Sequence, residues 1–234
     1  MAFAKAAPEL SFGQSKNCMT IQFFDLLYRG MPITPKRTRI EDLRRSELIA
    51  AAHRVFMRYG LGGMTTARIC HEAGMSPGIL AYYFKGKEDV LFAMVRLNNR
   101  LLMEDVVVRL NAATTRWERL LAIVEGNFPV SVYEPAVANA WLSVVAASAN
   151  TPRYAKLQRI FYRRLRSNLG SAFTGVLSPE RFDLQARVIS GLIDGLWLQR
   201  AANEAPERDA VVRLILATVS AHLSERERHS MQSA

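Results

Sequence analysis

The sequence predicts an all-α fold in two parts, a small three-helix unit followed by a larger helical domain. Three observations predict it. Leu43, Leu48, Ile49, Ala52, Val55, Phe56 and Tyr59 recur at helical spacing, as on the buried face of an amphipathic helix. Three later segments open with a hydroxyl residue followed by proline: Ser76-Pro77, Thr151-Pro152 and Ser178-Pro179. The hydroxyl caps orphan amides, and the proline takes the first helical position, where its missing N–H costs nothing. No stretch alternates as a strand does, and no Asn-Gly or Asp-Gly pair links two such stretches.

Taken in order, the pattern predicts about nine or ten helices. They lie near 42–59, 66–73, 77–83, 87–110, 117–127, 135–149, 152–176, 179–203 and 207–225. Residues 1–30 are irregular, with Pro8, Gly13 and Gly30, and read as a disordered extension; only the amphipathic "IQFFDLLY" argues otherwise. Met31 opens a Pro-rich basic stretch, "MPITPKRTR", and reads as the natural start. The expected units are 31–86, 87–226 and a disordered tail at 227–234.

Half of the 234 residues are hydrophobic and 22% are charged, which excludes a disordered chain. The net charge of +10 suits a polyanion, nucleic acid or an anionic membrane. Two cysteines, Cys18 and Cys70, make no disulfide framework and fit a reducing, cytoplasmic setting. The most apolar stretch, 136–149, is too short to span a bilayer and contains Asn139. No secretory signal is read at the N-terminus.

The segment "TARICHEAGMSPGILAYYFKGKEDV" carries the chemistry. Thr65 or Thr66 caps a short helix with Ile69 and Ala73 facing inward, and Gly74 ends it with a left-handed residue. Ser76 caps the next helix. Two short helices joined by a tight Gly turn form a helix-turn-helix, whose second helix is free to enter a major groove. Ile79, Leu80 and Phe84 read as packing residues, leaving Pro77, Gly78, Ala81, Tyr82 and Tyr83 on the outer side. Small residues there admit DNA closely, tyrosine hydroxyls reach phosphate, and Lys85 and Lys87 add charge. A basic arm of Lys36, Arg37, Arg39, Arg44 and Arg45 precedes it and can reach adjacent phosphates or a minor groove. The plainer reading is a helical hairpin with a solvated end.

The stretch "MTTARICHEAGMSPGILAYYFKGKEDVL" resembles the DNA-binding motif of TetR-family transcriptional repressors. The resemblance implies that Thr65 or Thr66 starts the support helix and that Gly78 and Ala81 lie on the recognition helix. It places Tyr82, Tyr83 and Lys87 at phosphates. Cys70 stands where the family usually has alanine and reads as a small buried residue. His71 has no second ligand at metal spacing and reads as a surface residue. Further on, "VEGNF", "AWLS", "LQRI", "RRLRSNL" and "LIDGLWLQR" resemble the choline-responsive members of that family, which control glycine betaine synthesis genes. The alternative is a TetR-type repressor answering to another small cationic or apolar ligand.

In "SGLIDGLWLQRAA", Gly191 and Gly195 share a helical face with Leu184, Leu198 and Ala202. Small residues on such a stripe let helices approach closely. The resemblance implies a homodimer joined through its last two helices; packing within one chain is the alternative. Asp194 sits in an apolar run three residues before Trp197, and Glu125 sits three before Phe128. A carboxylate beside an aromatic face suits a quaternary ammonium, which has no N–H to donate. Trp141 is a candidate further wall. The competing reading makes these aromatics core and pairs Asp194 with Arg164 or Arg187. No nucleophile motif, nucleotide fingerprint or metal-ligand spacing is present, so no catalytic residue, cofactor or metal is expected.

Overall fold

The computed structural model describes residues 36–232, with the side chains of 36–39, 101 and 131 excepted. The extension expected at 1–30 and the start expected at Met31 lie outside the described residues. Ten α-helices and one 3-10 turn occur among the described residues, with no strand.

Helix α1 (Lys36–Gly63) breaks at Gly60, where φ is 64°, and then makes one further turn. The expected stop therefore falls at the right residue, but the helix resumes. Helix α2 (Thr66–Ala73) opens on Thr65, whose Oγ1 accepts the Arg68 N–H at 3.2 Å. It ends at Gly74, with φ 63° and ψ 32°, a left-handed conformation that a side chain resists. Helix α3 (Pro77–Tyr83) opens on Ser76, whose Oγ accepts the Ile79 N–H. The turn of three residues, Gly74 to Ser76, thus satisfies its own amides and sets the angle between α2 and α3.

Helix α4 (Lys87–Ala112) leads away from this unit. Helix α5 (Arg116–Asn127) follows, opened by a reciprocal capping box of Thr115 and Glu118. A 3-10 turn (Val130–Val132) leads to α6 (Pro135–Ser148) and α7 (Pro152–Phe173). At Thr151 the proline device is incomplete, because the threonine hydroxyl makes no capping bond. Ser178 does cap α8 (Pro179–Ala201), and α9 (Arg208–His222) comes next.

Residues 225–232 correct the expectation of a disordered tail: they form α10 (Glu225–Gln232). Ser224 and Glu227 cap its start reciprocally. An ion pair from Arg181 to Glu227 ties it to α8, and Met231 is fully buried. Charge alone makes this segment look like a tail; one buried methionine and one cap make it a helix.

The apolar residues form two cores, and α4 runs through both. Val90, Leu91, Met94 and Leu97 belong to the first, with α1, α2 and α3. Met103, Val106 and Leu110 belong to the second, with α5, α7, α8 and α9. The first core also recruits Ala140 and Val144 of α6 and Tyr154 of α7. At Gly126 a Cβ would lie 2.5 Å from Val106 Cγ2, so only glycine lets α5 approach α4 this closely. No helix among the described residues is long and apolar enough to cross a membrane.

Candidate DNA-binding and effector sites

The turn chemistry of α2 and α3 presents one face of α3 outward. Leu80 and Phe84 are buried, while Pro77, Gly78, Ala81 and Tyr82 are exposed, Tyr82 by 72%. Ile79 corrects the packing expectation. It is 38% exposed and lines the outer face. An open groove of about 420 Å³ runs there between Arg44, Ser76, Gly78, Ile79, Tyr82 and Tyr83. Tyr83 is half-buried, with its ring edge-on to Tyr82 at 4.9 Å. The Tyr82 hydroxyl donates to Glu41 at 3.4 Å, a long bond between exposed partners that a phosphate can replace.

Thr65, Thr66, Lys85 and Lys87 are all exposed at the ends of the helices that flank this face. Arg45 places its guanidinium 4.9 Å above the Phe84 ring, and Arg44 pairs with Glu47 at 3.0 Å. Arg37 and Arg39 lie outside the described side chains. Cys70 is buried, and burial raises its thiol pKa, so it stays protonated and inert. His71 is exposed. The inner support is an ion pair from Arg54 of α1 to Glu72 of α2 at 2.6 Å.

The five expected effector residues fall into two groups. In the first, the Phe128 and Trp197 rings stack at 5.8 Å with an interplanar angle of 13°. Tyr133, which sequence reasoning missed, sets its edge against both, at 5.8 and 5.4 Å. Trp197 Nε1 donates to the Asn127 carbonyl at 3.1 Å. A cation already occupies this group: the Arg200 guanidinium lies 4.7 Å above Tyr133. Glu125 is not brought to these rings as a free carboxylate. It accepts from Arg109 at 3.1 Å and faces Arg208 at 3.8 Å. Phe128 is fully buried.

The second group forms around Asp194. Its Oδ2 accepts from the Tyr162 hydroxyl at 2.6 Å, and neither Arg164 nor Arg187 pairs with it. Gln158 donates to the same hydroxyl at 3.4 Å. Phe161 lies edge-on to Tyr162 at 5.5 Å, and Trp141 tilts against Phe161 at 5.7 Å. Burial raises the Asp194 pKa, which the Tyr162 hydrogen bond partly opposes. Burial and the adjoining carboxylate push the Tyr162 hydroxyl up to about 12, so it stays a donor. No salt bridge reaches Asp194, and no arginine or lysine lies over Trp141, Phe161 or Tyr162, among the described residues. The missed Tyr162 and Phe161 carry a faint signal: Tyr162 lies on a helix that packs against α8, but its distance from Asp194 in sequence hides the pairing.

The stripe on α8 is uncovered. Leu184 is 65% and Leu198 57% exposed, and Ala202 and Gly191 are exposed too. A Cβ at Gly191 or Gly195 would meet nothing within 4 Å. The residues are not covered by their own chain, and Leu214 of α9 is likewise exposed, by 46%.

Two family models match successive parts of the chain. The family model for bacterial regulatory proteins of the tetR family matches residues 48–94, and that for the C-terminal domain of BetI-type transcriptional repressors matches residues 116–224. The HTH-type transcriptional regulator BetI of Cronobacter sakazakii is 38% identical over 71% of this chain and 84% of its own length. That of Brucella abortus is 34% identical over 79% of this chain and 94% of its own. A transcriptional regulator from Saccharomonospora viridis, solved in complex with choline, has the same fold: its TM-score is 0.68 at 24% identity, covering 78% of this chain and 98% of its own. Helix-turn-helix geometry, an all-α effector domain and these relatives converge: the chain belongs to the TetR family of bacterial transcriptional regulators, which are not enzymes, and carries a BetI-type C-terminal domain.

Proposed function

We propose that the chain is a homodimeric cytoplasmic repressor that releases its operator on binding choline and thereby controls glycine betaine synthesis or choline uptake genes. One observation carries the effector reading: Asp194 is a half-buried carboxylate with no cationic partner among the described residues, set beside a run of aromatic rings. A charge in that setting is costly unless a cation joins it. A quaternary ammonium satisfies both the charge and the π-faces. Trp141 and Asp194 belong to this site, with Phe161 and Tyr162 added. Glu125, Phe128 and Trp197 hold up its neighbouring wall. The BetI relatives and the choline-bound neighbour support the same ligand.

On the DNA side, Thr65, Thr66, Ser76, Tyr82, Tyr83, Lys85 and Lys87 contact backbone, while Pro77, Gly78 and Ala81 let α3 into the major groove. Two copies reach two half-sites by joining α8 and α9 through Leu184, Gly191, Gly195, Leu198 and Ala202. The test is calorimetry of the purified chain with choline, followed by titration of its operator complex. Choline is expected to weaken operator binding about 5- to 150-fold. Glycine betaine adds a carboxylate that Asp194 repels, so it binds more weakly. If choline neither binds nor changes operator affinity, the effector reading fails.

A further inference from the structure

Within the packed junction of the two modules, one carboxylate bonds to both sides. Asp89 lies in the first turn of α4. Its Oδ2 accepts the backbone N–H of Lys85 at 3.1 Å, one residue past the end of the recognition-helix packing at Phe84. Its other oxygen, Oδ1, accepts from Arg153 Nη1 at 2.5 Å. Arg153 opens α7, which carries Tyr162. The same guanidinium lies 5.1 Å above the Phe92 ring of α4. Tyr154, next along α7, packs its ring 6.2 Å from Phe92 and is buried within the DNA-binding core. The contacts hold the Asp89 pKa below its usual range, with the Arg153 hydrogen bond the largest cause.

We propose that Asp89 and Arg153 are positioning residues that tie the exit of the recognition helix to the effector domain. The tie is directional. One carboxylate oxygen fixes the Lys85 turn, and the other follows α7. A shift of α7 at Tyr162 therefore moves Arg153, and Arg153 moves the turn that aims α3. The Tyr154 hydroxyl is buried without a hydrogen-bond partner among the described residues, which is costly in this arrangement. As an effector-coupling device the tie rests on the reading given above. As a mechanical link between operator and α7 it does not.

Two measurements on the full chain separate these levels. In the first, amide hydrogen exchange is followed with and without an operator duplex selected by the chain from random sequence. Operator binding should slow exchange at 77–83 and, through the tie, at the α7 start around 151–157, by about tenfold. In Arg153→Gln the protection of 77–83 should remain and that of 151–157 should vanish; Arg153→Lys should restore part of it. Asp89→Asn keeps an acceptor for the Lys85 amide but drops the ion pair, and should behave like Arg153→Gln. If the parent shows no protection at 151–157, or if Arg153→Gln transmits it as the parent does, the tie is refuted. In the second, choline affinity and the ratio of operator affinities with and without choline are measured. Arg153→Gln should bind choline within about twofold of the parent while its operator ratio falls toward one. A parent that ignores choline sinks the effector reading alone, and hydrogen exchange then decides the tie.

Discussion

Two carboxylates stand three residues before an aromatic, Glu125 before Phe128 and Asp194 before Trp197, yet the fold treats them oppositely. Glu125 is saturated by Arg109 and Arg208, and the aromatic group beside it is closed by its own stacking and by Arg200. Asp194 has only a neutral hydroxyl for company, and its rings carry no cation among the described residues. Identical local sequence spacing therefore gives a carboxylate saturated by arginines in one place and one without a cationic partner among the described residues in the other. The difference is made by arginines that arrive from distant segments.

The largest expected effect breaks the wall. Phe128→Ala removes a fully buried ring that stacks on Trp197, and should lower unfolding stability by about 3–5 kcal/mol. Denaturant titration measures it. A loss below about 1 kcal/mol would mean that the group is not the packed support described. Next, Glu125→Gln leaves two guanidiniums short of a charge, although Arg109 keeps Asp105 and Arg208 keeps Asp209. A loss of about 1–2 kcal/mol is expected, moderated by partial exposure. Choline affinity of the folded variant should not change. A selective loss of choline binding in Glu125→Gln would overturn the division between the two carboxylates.

The DNA-binding end was largely legible in the sequence because its chemistry is local. Thr65, Gly74 and Ser76 act on amides within four residues, and the structure shows each bond or angle in place. Ile79 was misjudged because helical spacing on a seven-residue helix does not separate the packed side from its margin. The effector end was legible only in its residue types. Tyr133 reaches Trp197 across 64 positions and Tyr162 reaches Asp194 across 32, so their pairing depends on helix rotation that no local pattern encodes. The helix at 225–232 did carry a local signal, the Ser224-Glu227 capping box, hidden by the charge around it.

A smaller effect sharpens the other side of the comparison. Asp194→Asn should leave stability unchanged or slightly higher, since the folded state no longer holds a half-buried charge. Choline affinity should fall about tenfold or more, or about 1.4 kcal/mol, by calorimetry. Unchanged affinity would remove Asp194 from the site.

The smallest effect belongs to Tyr162→Phe, and its direction with pH is the discriminating feature. The ring stays, so the wall beside Phe161 is kept; only the hydroxyl that donates to Asp194 goes. Burial raises the Asp194 pKa, and the Tyr162 bond works against that rise. For stability, a carboxyl with a raised folded pKa binds its proton more tightly than the unfolded chain does. The stability penalty is therefore greatest above the folded pKa and fades as pH falls through it. For choline the sign is opposite, because only the ionised carboxylate attracts the cation. Affinity should be full at neutral pH and fall as pH drops through the raised Asp194 pKa. Removing the hydroxyl raises that pKa further, so the acid limb of choline binding should move to higher pH. At neutral pH the loss should be only about two- to fivefold, the worth of one hydrogen bond. Calorimetric titrations of parent and variant across the acid range measure both features. An acid limb that stays in place, with neutral-pH affinity equal to the parent's, would show that Tyr162 does not set the Asp194 charge and that the second carboxylate gains its receptivity from burial alone.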